Sequence, residues 1–270
     1  MCKGPAAKRG FFMSYLDALI LGLLQGLTEF LPISSSGHLV LAQELLGVNS
    51  EGVTFEILVH LGSLLAIFIF FREKLWSLTL SLFKKDKASH RKDILFLAIG
   101  TVPAALTGLF FESYIETVFS SAVFTSTMLI ITGFILLSTR LARGCNQEVD
   151  AKRAILIGVA QALAILPGIS RSGSTISAAM LLKIEPSKAA EFSFLLAIPA
   201  IAGATIFKLD EIMASDFDMM LTYSVGAAMA FVSSLVAIRL LMSIIRKGRF
   251  EIFAYYCFAA GAFGLYLFLK

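Results

Sequence analysis

The chain has 270 residues, of which 57% are hydrophobic and only 16% are charged. Soluble domains carry about 25% charged residues, so this composition excludes an ordinary soluble fold and predicts a polytopic membrane protein. The net charge of +4 is too small to indicate a nucleic-acid ligand, and the three cysteines have neither disulfide-framework nor zinc-site spacing.

Long apolar blocks alternate with short polar segments along the chain. Six blocks are long enough to cross a bilayer core, which takes about 20 apolar residues; they lie near 53–71, 94–111, 118–138, 189–207, 219–245 and 252–269. Regions 16–47 and 154–183 each place a Pro/Ser/Gly centre between two apolar halves, which is typical of a re-entrant hairpin. The predicted fold is therefore all-α, with six full transmembrane helices plus two re-entrant helical hairpins.

The charges of the loops predict the orientation. Loop 72–92 contains seven Lys or Arg residues, loop 139–153 contains four and segment 246–249 contains three, whereas segment 112–117 has none. Because basic loops stay in the cytoplasm, both chain termini are expected outside.

The two hairpin regions resemble each other. When "LLQGLTEFLPISSSGH" is compared with "VAQALAILPGISRSGS", an offset of 136 residues aligns Gln25 with Gln161 and Ser34 with Ser170. We interpret 1–270 as one membrane domain with repeats 14–142 and 152–270, each a hairpin followed by three spans. Three spans are an odd number, so the repeats must be inverted, as in transporters whose functional site lies at the repeat interface.

Two residues of the first hairpin are unusual for a membrane segment. Glu29 follows Gln25 by four residues, which places both on one helix face. An ionised carboxylate at bilayer depth costs at least about 2.5 kcal/mol, so a metal ion, an arginine or a proton must compensate Glu29.

The polar centres of the hairpins add candidate reactive groups. "PISSSGH" contains Ser35 and His38, which together offer a nucleophile and a general acid/base, although at least one serine is expected to be a helix cap. "PGISRSGSTIS" contains Arg171, which precedes a predicted helix start and can grip a phosphate there. The alternative is that Arg171 serves only as the counter-ion of Glu29. His60, in the middle of its span, is interpreted as a satisfied core histidine.

At these residues the sequence resembles the undecaprenyl-pyrophosphate phosphatase family, membrane enzymes associated with bacitracin resistance. The resemblance extends from about Ser14 to the C-terminus, and its two motifs read "QGLTEFLPISSSGH" and "LPGISRSGST" here. It implies hydrolysis of undecaprenyl diphosphate to undecaprenyl phosphate and phosphate, for re-use of the cell-wall lipid carrier. It also implies a site on the outer face of the bacterial cytoplasmic (inner) membrane, assisted by a divalent cation, Mg²⁺ or Ca²⁺.

The resemblance further implies roles for individual residues. Glu29 would help bind the metal ion or the diphosphate, Ser35 and His38 would be the candidates for nucleophile and acid/base, and Arg171 would anchor phosphate. The expected substrate-binding residues are Gln25, Ser34, Ser36, Ser170, Ser172, Gly173 and Thr175. Many members carry glutamate at the position of Gln25, so a metal site built on two carboxylates is weakened here.

The nucleophile stays open at this point. His38 could attack phosphorus, Ser35 could attack with His38 assisting, or a metal-activated water could do so. We favour attack by Ser35 with His38 assisting.

Two other functions compete with this hypothesis. A transporter or flippase of the lipid carrier would explain the repeats and the compensated charge, but it needs no nucleophile. Another lipid phosphatase group also contains "SGH" but needs a second histidine further along the chain, and none follows Arg171. The expected partners are a polyprenyl diphosphate lipid and the membrane; a homodimer is compatible with the sequence.

Overall fold

The computed structural model describes residues 13–48, 54–83, 88–119, 121–142, 144–213 and 217–269. Within them the only β-type pairing is an isolated bridge between Gln147 and Ile184, so the predicted all-α class is confirmed. Residues 53, 84–87, 120, 143, 214–216 and 270, which fall in predicted spans, loops or the second repeat, lie outside this description. The described α-helices are α1 (Tyr15–Phe30), α2 (Ser35–Leu46), α3 (Thr54–Phe70), α4 (Arg72–Phe83), α5 (Ala88–Phe119), α6 (Ala122–Ser138), α7 (Ala151–Leu163), α8 (Arg171–Leu181), α9 (Pro186–Phe207), α10 (Leu209–Met213), α11 (Phe217–Arg246) and α12 (Ile252–Phe268).

Among the described residues, four helical segments are long and apolar enough to cross a membrane, and they correspond to four of the six predicted spans. They are His90–Phe111, Ala122–Leu141, Pro186–Phe207 and Met219–Arg246. The other two predictions are not confirmed as full spans. Helix α3 has 17 residues and meets α4 at an angle of 78°, so the pair counts as a fifth span only if it is taken together. Helix α12 also has only 17 residues; at 1.5 Å per residue that is about 26 Å, slightly less than a hydrocarbon core of about 30 Å.

The outer surface of the helices is apolar, and many polar side chains are buried in the interior. Phe110 and Phe134, for example, are 72% and 61% exposed, whereas Gln25 and Ser63 are completely buried. A protein in water would not expose so many large apolar side chains on its longest helices, but lipid tails can cover them. The chain is therefore a multi-pass membrane protein.

The helices of the two predicted hairpin regions are short and break at the predicted polar centres. Helices α1 and α2 have 16 and 12 residues and are separated at 31–34; α7 and α8 have 13 and 11 residues and are separated at 164–170. At 1.5 Å per residue these helices are about 17–24 Å long, which is less than a hydrocarbon core of about 30 Å. The break positions fit the Pro, Gly and Ser residues there, because Ser34 and Gly168 have positive φ angles of 67° and 92°.

Small residues allow the first hairpin to pack closely against a distant helix. A Cβ atom on Gly22 of α1 would overlap the backbone of Gly226 in α11, and one on Gly62 of α3 would overlap the backbone of Ala227. Backbones that approach this closely are a common way to join helices in lipid, where apolar burial adds no driving force. Helices α1, α3 and α11 therefore form one tightly packed unit.

The second hairpin is also packed through a close contact between glycines. A Cβ atom on Gly158 of α7 would overlap the backbone of Gly100 in α5. Each hairpin is thus held by a helix of the other half of the chain, α1 by α11 and α7 by α5.

This packing predicts opposite effects for two glycine-to-alanine substitutions. Gly62→Ala should destabilise the protein by about 1–3 kcal/mol, because the added methyl group forces α3 away from α11. Gly108→Ala is the matched control: no described atom lies within 4 Å of a Cβ atom there, so the higher helix propensity of alanine should leave stability unchanged or raise it by up to about 1 kcal/mol. Thermal unfolding in detergent measures both effects, and equal shifts would contradict the close contact.

Candidate active site

The two hairpin tips meet inside the protein. Ser34 and Ser170 are the N-caps of α2 and α8, and their Oγ atoms accept hydrogen bonds from the backbone N–H groups of Gly37 at 3.2 Å and Gly173 at 3.0 Å. The Oγ atom of Ser172 donates to the carbonyl of Leu31 at 3.2 Å, which ties the second tip to the first. The N-terminal ends of two helices therefore lie near one another, and such ends attract anions.

Glu29 is the centre of a buried polar cluster at these tips. Its side chain is only 6% exposed. One carboxylate oxygen, Oε2, accepts hydrogen bonds from Gln25 Nε2 at 3.0 Å and from Ser35 Oγ at 2.5 Å. The other oxygen, Oε1, forms an ion pair with the guanidinium of Arg171, whose side chain is 16% exposed. The structure thus brings together three of the four predicted catalytic side chains.

Arg171 is held in place by the backbone and by α9. Its Nη1 donates to the carbonyl of Ser193 at 3.4 Å, and its own carbonyl accepts a hydrogen bond from Thr175 Oγ1 at 2.8 Å. Thr175 Oγ1 also lies 2.5 Å from Ser193 Oγ. A guanidinium has five N–H donors, and the described contacts use two of them, so the remaining donors can bind a phosphate.

His60 belongs to this cluster, although we interpret it from the sequence as a core residue. Its Nδ1 donates to the carbonyl of Glu56 at 2.6 Å, and its Nε2 lies 3.5 Å from Glu29 Oε2. The Nδ1 atom is therefore satisfied, as that interpretation expects, but the ring also borders Glu29, which the sequence analysis did not predict. An ionisable side chain in mid-span is by itself a signal of a functional site, and this signal could have identified His60.

His38, the fourth predicted catalytic residue, lies apart from the Glu29 cluster in the described contacts. Its Nδ1 donates to the carbonyl of Ser34 at 2.8 Å, and its Nε2 accepts a hydrogen bond from the hydroxyl of Tyr256 at 2.8 Å. The two rings are also stacked, with centroids 5.6 Å apart. Tyr256 was not identified from the sequence, because no pattern links α12 to the first hairpin. The catalytic role of His38 stays a prediction.

The remaining predicted residues mainly shape the tips. Ser36 Oγ lies 3.3 Å from Ser34 Oγ, and Ser170 Oγ lies 3.3 Å from Ser172 Oγ. A Cβ atom on Gly173 would lie 3.0 Å from the Cβ of Ser170, so this glycine permits a tight cap. These contacts account for each hydroxyl structurally, and the predicted roles of these residues in substrate binding remain predictions.

The residues around Glu29 include oxygen atoms that could hold a divalent cation. No group of three His, Cys, Asp or Glu side chains suited to a metal ion occurs among the described residues. The Oε1 atom of Gln25, however, is buried and has no hydrogen-bond partner in the described part of the chain, and it is on the same side chain that contacts Glu29. Mg²⁺ typically uses one or two carboxylates, waters and substrate phosphates, so Glu29, Gln25 and Ser35 together could supply the protein ligands.

These features define a class of protein: a multi-pass helical membrane protein with a carboxylate, a hydroxyl and a guanidinium buried between two hairpin tips. Sequence comparisons identify the family. The family described as bacitracin resistance protein BacA matches residues 18–263, and the chain belongs to this family.

Curated relatives match this sequence along nearly its whole length. The undecaprenyl-diphosphatase of Syntrophotalea carbinolica is 44% identical over 255 residues, which cover 92% of this chain and 97% of that protein. Those of Halothermothrix orenii and Korarchaeum cryptofilum are 39% and 42% identical, covering 92% of this chain and 96% and 97% of the relatives.

The buried ion pair can be tested by a double-mutant cycle. Arg171→Met should destabilise the protein by about 3–5 kcal/mol, because it leaves the Glu29 carboxylate buried without its cation. Adding Glu29→Gln should recover most of this loss, so the two effects should be strongly non-additive. Thermal unfolding of the four proteins measures the coupling. Glu44→Gln, which alters an exposed carboxylate on α2, is the control and should show no coupling to Arg171→Met; additive effects for Glu29 would refute the pair.

Proposed function

We propose that the chain is an undecaprenyl-diphosphatase, which hydrolyses undecaprenyl diphosphate to undecaprenyl phosphate and phosphate. The names of the curated relatives supply the substrate. The observation that supports the chemistry is the hydroxyl of Ser35, which donates to Glu29 at 2.5 Å while Arg171 neutralises the same carboxylate. A nucleophile, a proton acceptor and a phosphate-binding cation are therefore in contact at one buried point.

In the proposed first step, Ser35 Oγ attacks the terminal phosphorus of the substrate. The bond from Oγ to phosphorus forms while the bridging P–O bond breaks, and undecaprenyl phosphate leaves with the electron pair. Glu29 takes the hydroxyl proton, because its Oε2 is already the acceptor of that hydrogen bond. The product on the enzyme is a phosphoserine.

In the second step, water displaces Ser35 from phosphorus. The proton held by Glu29 returns to Ser35 Oγ, and phosphate departs with both protons of the attacking water. In both steps the unused N–H donors of Arg171 and the N-terminal ends of α2 and α8 neutralise the equatorial phosphoryl oxygens, which is the main source of catalysis in phosphoryl transfer.

His38 has a positioning role in this proposal, in place of the assisting role that we favour from the sequence. Both of its ring nitrogens are occupied, by Ser34 and by Tyr256. His38 therefore joins the first turn of α2 to α12 and holds the helix that carries Ser35. The alternatives are attack by His38 itself and attack by a water molecule, and the trapping experiment below distinguishes them from attack by Ser35.

A divalent cation, Mg²⁺ or Ca²⁺, is part of the proposal. Glu29, Gln25 Oε1 and Ser35 would hold it, and when bound it would add positive charge next to the diphosphate.

The proposed architecture is the six-span, two-hairpin inverted repeat. Its support is the order of the helices: α1–α2 corresponds to α7–α8, α3 to α9, α5 to α11 and α6 to α12. The packing follows the same correspondence, because α1 contacts α11, α7 contacts α5, and α3 and α6 contact their own counterparts α9 and α12. In this arrangement α3 and α12 are the fifth and sixth spans. Residence in the bacterial inner membrane, an outward-facing site and a homodimeric state stay predictions.

A transporter or flippase of the carrier lipid is not favoured. Charge compensation between Glu29 and Arg171 would suffice for transport, but a hydroxyl that donates to the same carboxylate has no evident task there.

Trapping of the phosphoenzyme tests the nucleophile. Rapid acid quenching with substrate labelled in the terminal phosphate should give an acid-stable label on Ser35. Ser35→Ala should abolish the label and lower kcat at least about 1000-fold, because nucleophile and base act as a unit. His38→Gln should keep the label while lowering kcat.

The outcomes separate the three routes. Ser138→Ala, at the end of α6, is the matched control and should behave as wild type. An acid-labile label that His38→Gln removes would establish attack by histidine. Wild-type activity with no label on any residue, and retained in Ser35→Ala, would favour water and overturn the proposal.

If Gln25 is a ligand of the divalent cation, two substitutions of this residue should change cation affinity in opposite directions. Gln25→Glu should lower the Mn²⁺ concentration that gives half-maximal binding, because it adds a second carboxylate ligand, and Gln25→Leu should raise it. Electron paramagnetic resonance of Mn²⁺ added to the purified protein measures binding without turnover. Equal binding by both variants would remove Gln25 from the cation site.

A further inference from the structure

A basic cleft of about 490 Å³ lies at the open end of the second hairpin, away from the tips. The first turn of α7, the C-terminal end of α8 and Gln147 form its walls. Lys152, Arg153 and Lys183 line it together with a single acid, Asp150. Three cations against one acid leave the cleft positively charged.

Arg153 links the walls of the cleft, and its charge is already paired with an acid. It forms an ion pair with Asp150, donates from Nη2 to Gln147 Oε1 at 3.1 Å and donates from Nε to the carbonyl of Leu182 at 3.3 Å. It therefore connects α7, the end of α8 and the preceding loop. The free charge in the cleft comes from the two lysines.

Lys152 and Lys183 are exposed and take part in no ion pair among the described residues. Lys183 also has a positive φ angle of 67°, which glycine adopts far more easily than lysine. Its position is imposed by the bridge next to it, where its carbonyl accepts from the N–H of Gln147 at 2.9 Å. Glycine would fit this backbone with less strain, so lysine at position 183 adds a charge to the cleft at some cost in backbone energy.

Apolar side chains continue the cleft along both helices. Leu156 follows Lys152 by one helical turn, about 6 Å further into α7, and Leu181 lies just before Lys183 at the end of α8; these leucines are 42% and 43% exposed. On both walls the lysine lies at the end of the helix, and the leucine lies further along the helix towards the interior of the protein. This order matches a phospholipid, whose phosphate lies at the membrane surface above its acyl chains.

We propose that the basic cleft binds the phosphate of an anionic phospholipid, with Lys152 and Lys183 as its ligands and the leucines against its acyl chain. Basic pockets between membrane helices commonly hold such head groups. The lipid would fasten the open end of the second hairpin, whose tip carries Arg171. This site is separate from the Glu29 cluster, and it does not depend on the proposed hydrolysis.

The test measures binding of dioleoyl-phosphatidylglycerol to the purified full chain by native mass spectrometry, with dioleoyl-phosphatidylcholine as the neutral lipid. Lys152→Gln/Lys183→Gln should weaken phosphatidylglycerol binding about 25-fold, since each lysine at a membrane surface contributes about fivefold. Lys92→Gln/Lys247→Gln removes two exposed lysines of basic segments elsewhere and should leave binding within about twofold of wild type.

Lys183→Gly gives a second, independent readout. It should weaken phosphatidylglycerol binding about fivefold and yet raise the melting temperature in phosphatidylcholine, because glycine relieves the backbone at this φ angle. A purely structural lysine would give the stability change without the binding change.

Three results would overturn the proposal. Equal losses of phosphatidylglycerol binding in both double variants would mean that only general surface charge matters. Unchanged binding in Lys152→Gln/Lys183→Gln would remove the lysines from any lipid site. Displacement of phosphatidylglycerol by millimolar inorganic phosphate would show that the cleft takes a free anion and not a lipid.

Discussion

Glu29 and Arg171 lie 142 residues apart in the chain and form an ion pair inside the layer of helices. Either charge alone would be costly there, because burial removes the water that would otherwise solvate it. Each hairpin tip therefore needs the other, and removal of one charge leaves the other unpaired. The pair also assembles the site, since Ser35 and Gln25 complete the hydrogen bonds of the same carboxylate.

Close packing of helix backbones brings the two hairpin tips together, so that Glu29 and Arg171 can pair. Glycines on α1 and α7 let α11 and α5 approach to backbone contact, so the position of each hairpin depends on a helix of the other half of the chain. The capping serines then satisfy the N–H groups that the broken helices expose. The basic cleft lies at the other end of the second hairpin, so the proposed lipid would act on the same element that carries Arg171.

Much of the site could be predicted from local patterns. A glutamate in an apolar run, a Pro/Ser/Gly interruption and an arginine before a helix start are each anomalous in a membrane segment, and each marks a residue of the cluster. His60 and Tyr256 were missed for different reasons. His60 carried the same signal of an ionisable group in an apolar segment, but no Pro/Ser/Gly interruption accompanied it in the sequence. Tyr256 carried no signal, because its contact with His38 joins residues 218 positions apart.

The sequence by itself determined the helical class, the two breaks and the identity of the charges that must be compensated, because these follow from local hydropathy and from the cost of burying a charge. Only the tertiary structure decided which partner compensates which charge. It placed Ser35 and not His38 on Glu29 and turned His38 towards Tyr256. The physical reason is that these outcomes depend on helix packing over long chain separations, where a few ångströms of backbone approach decide which side chains touch.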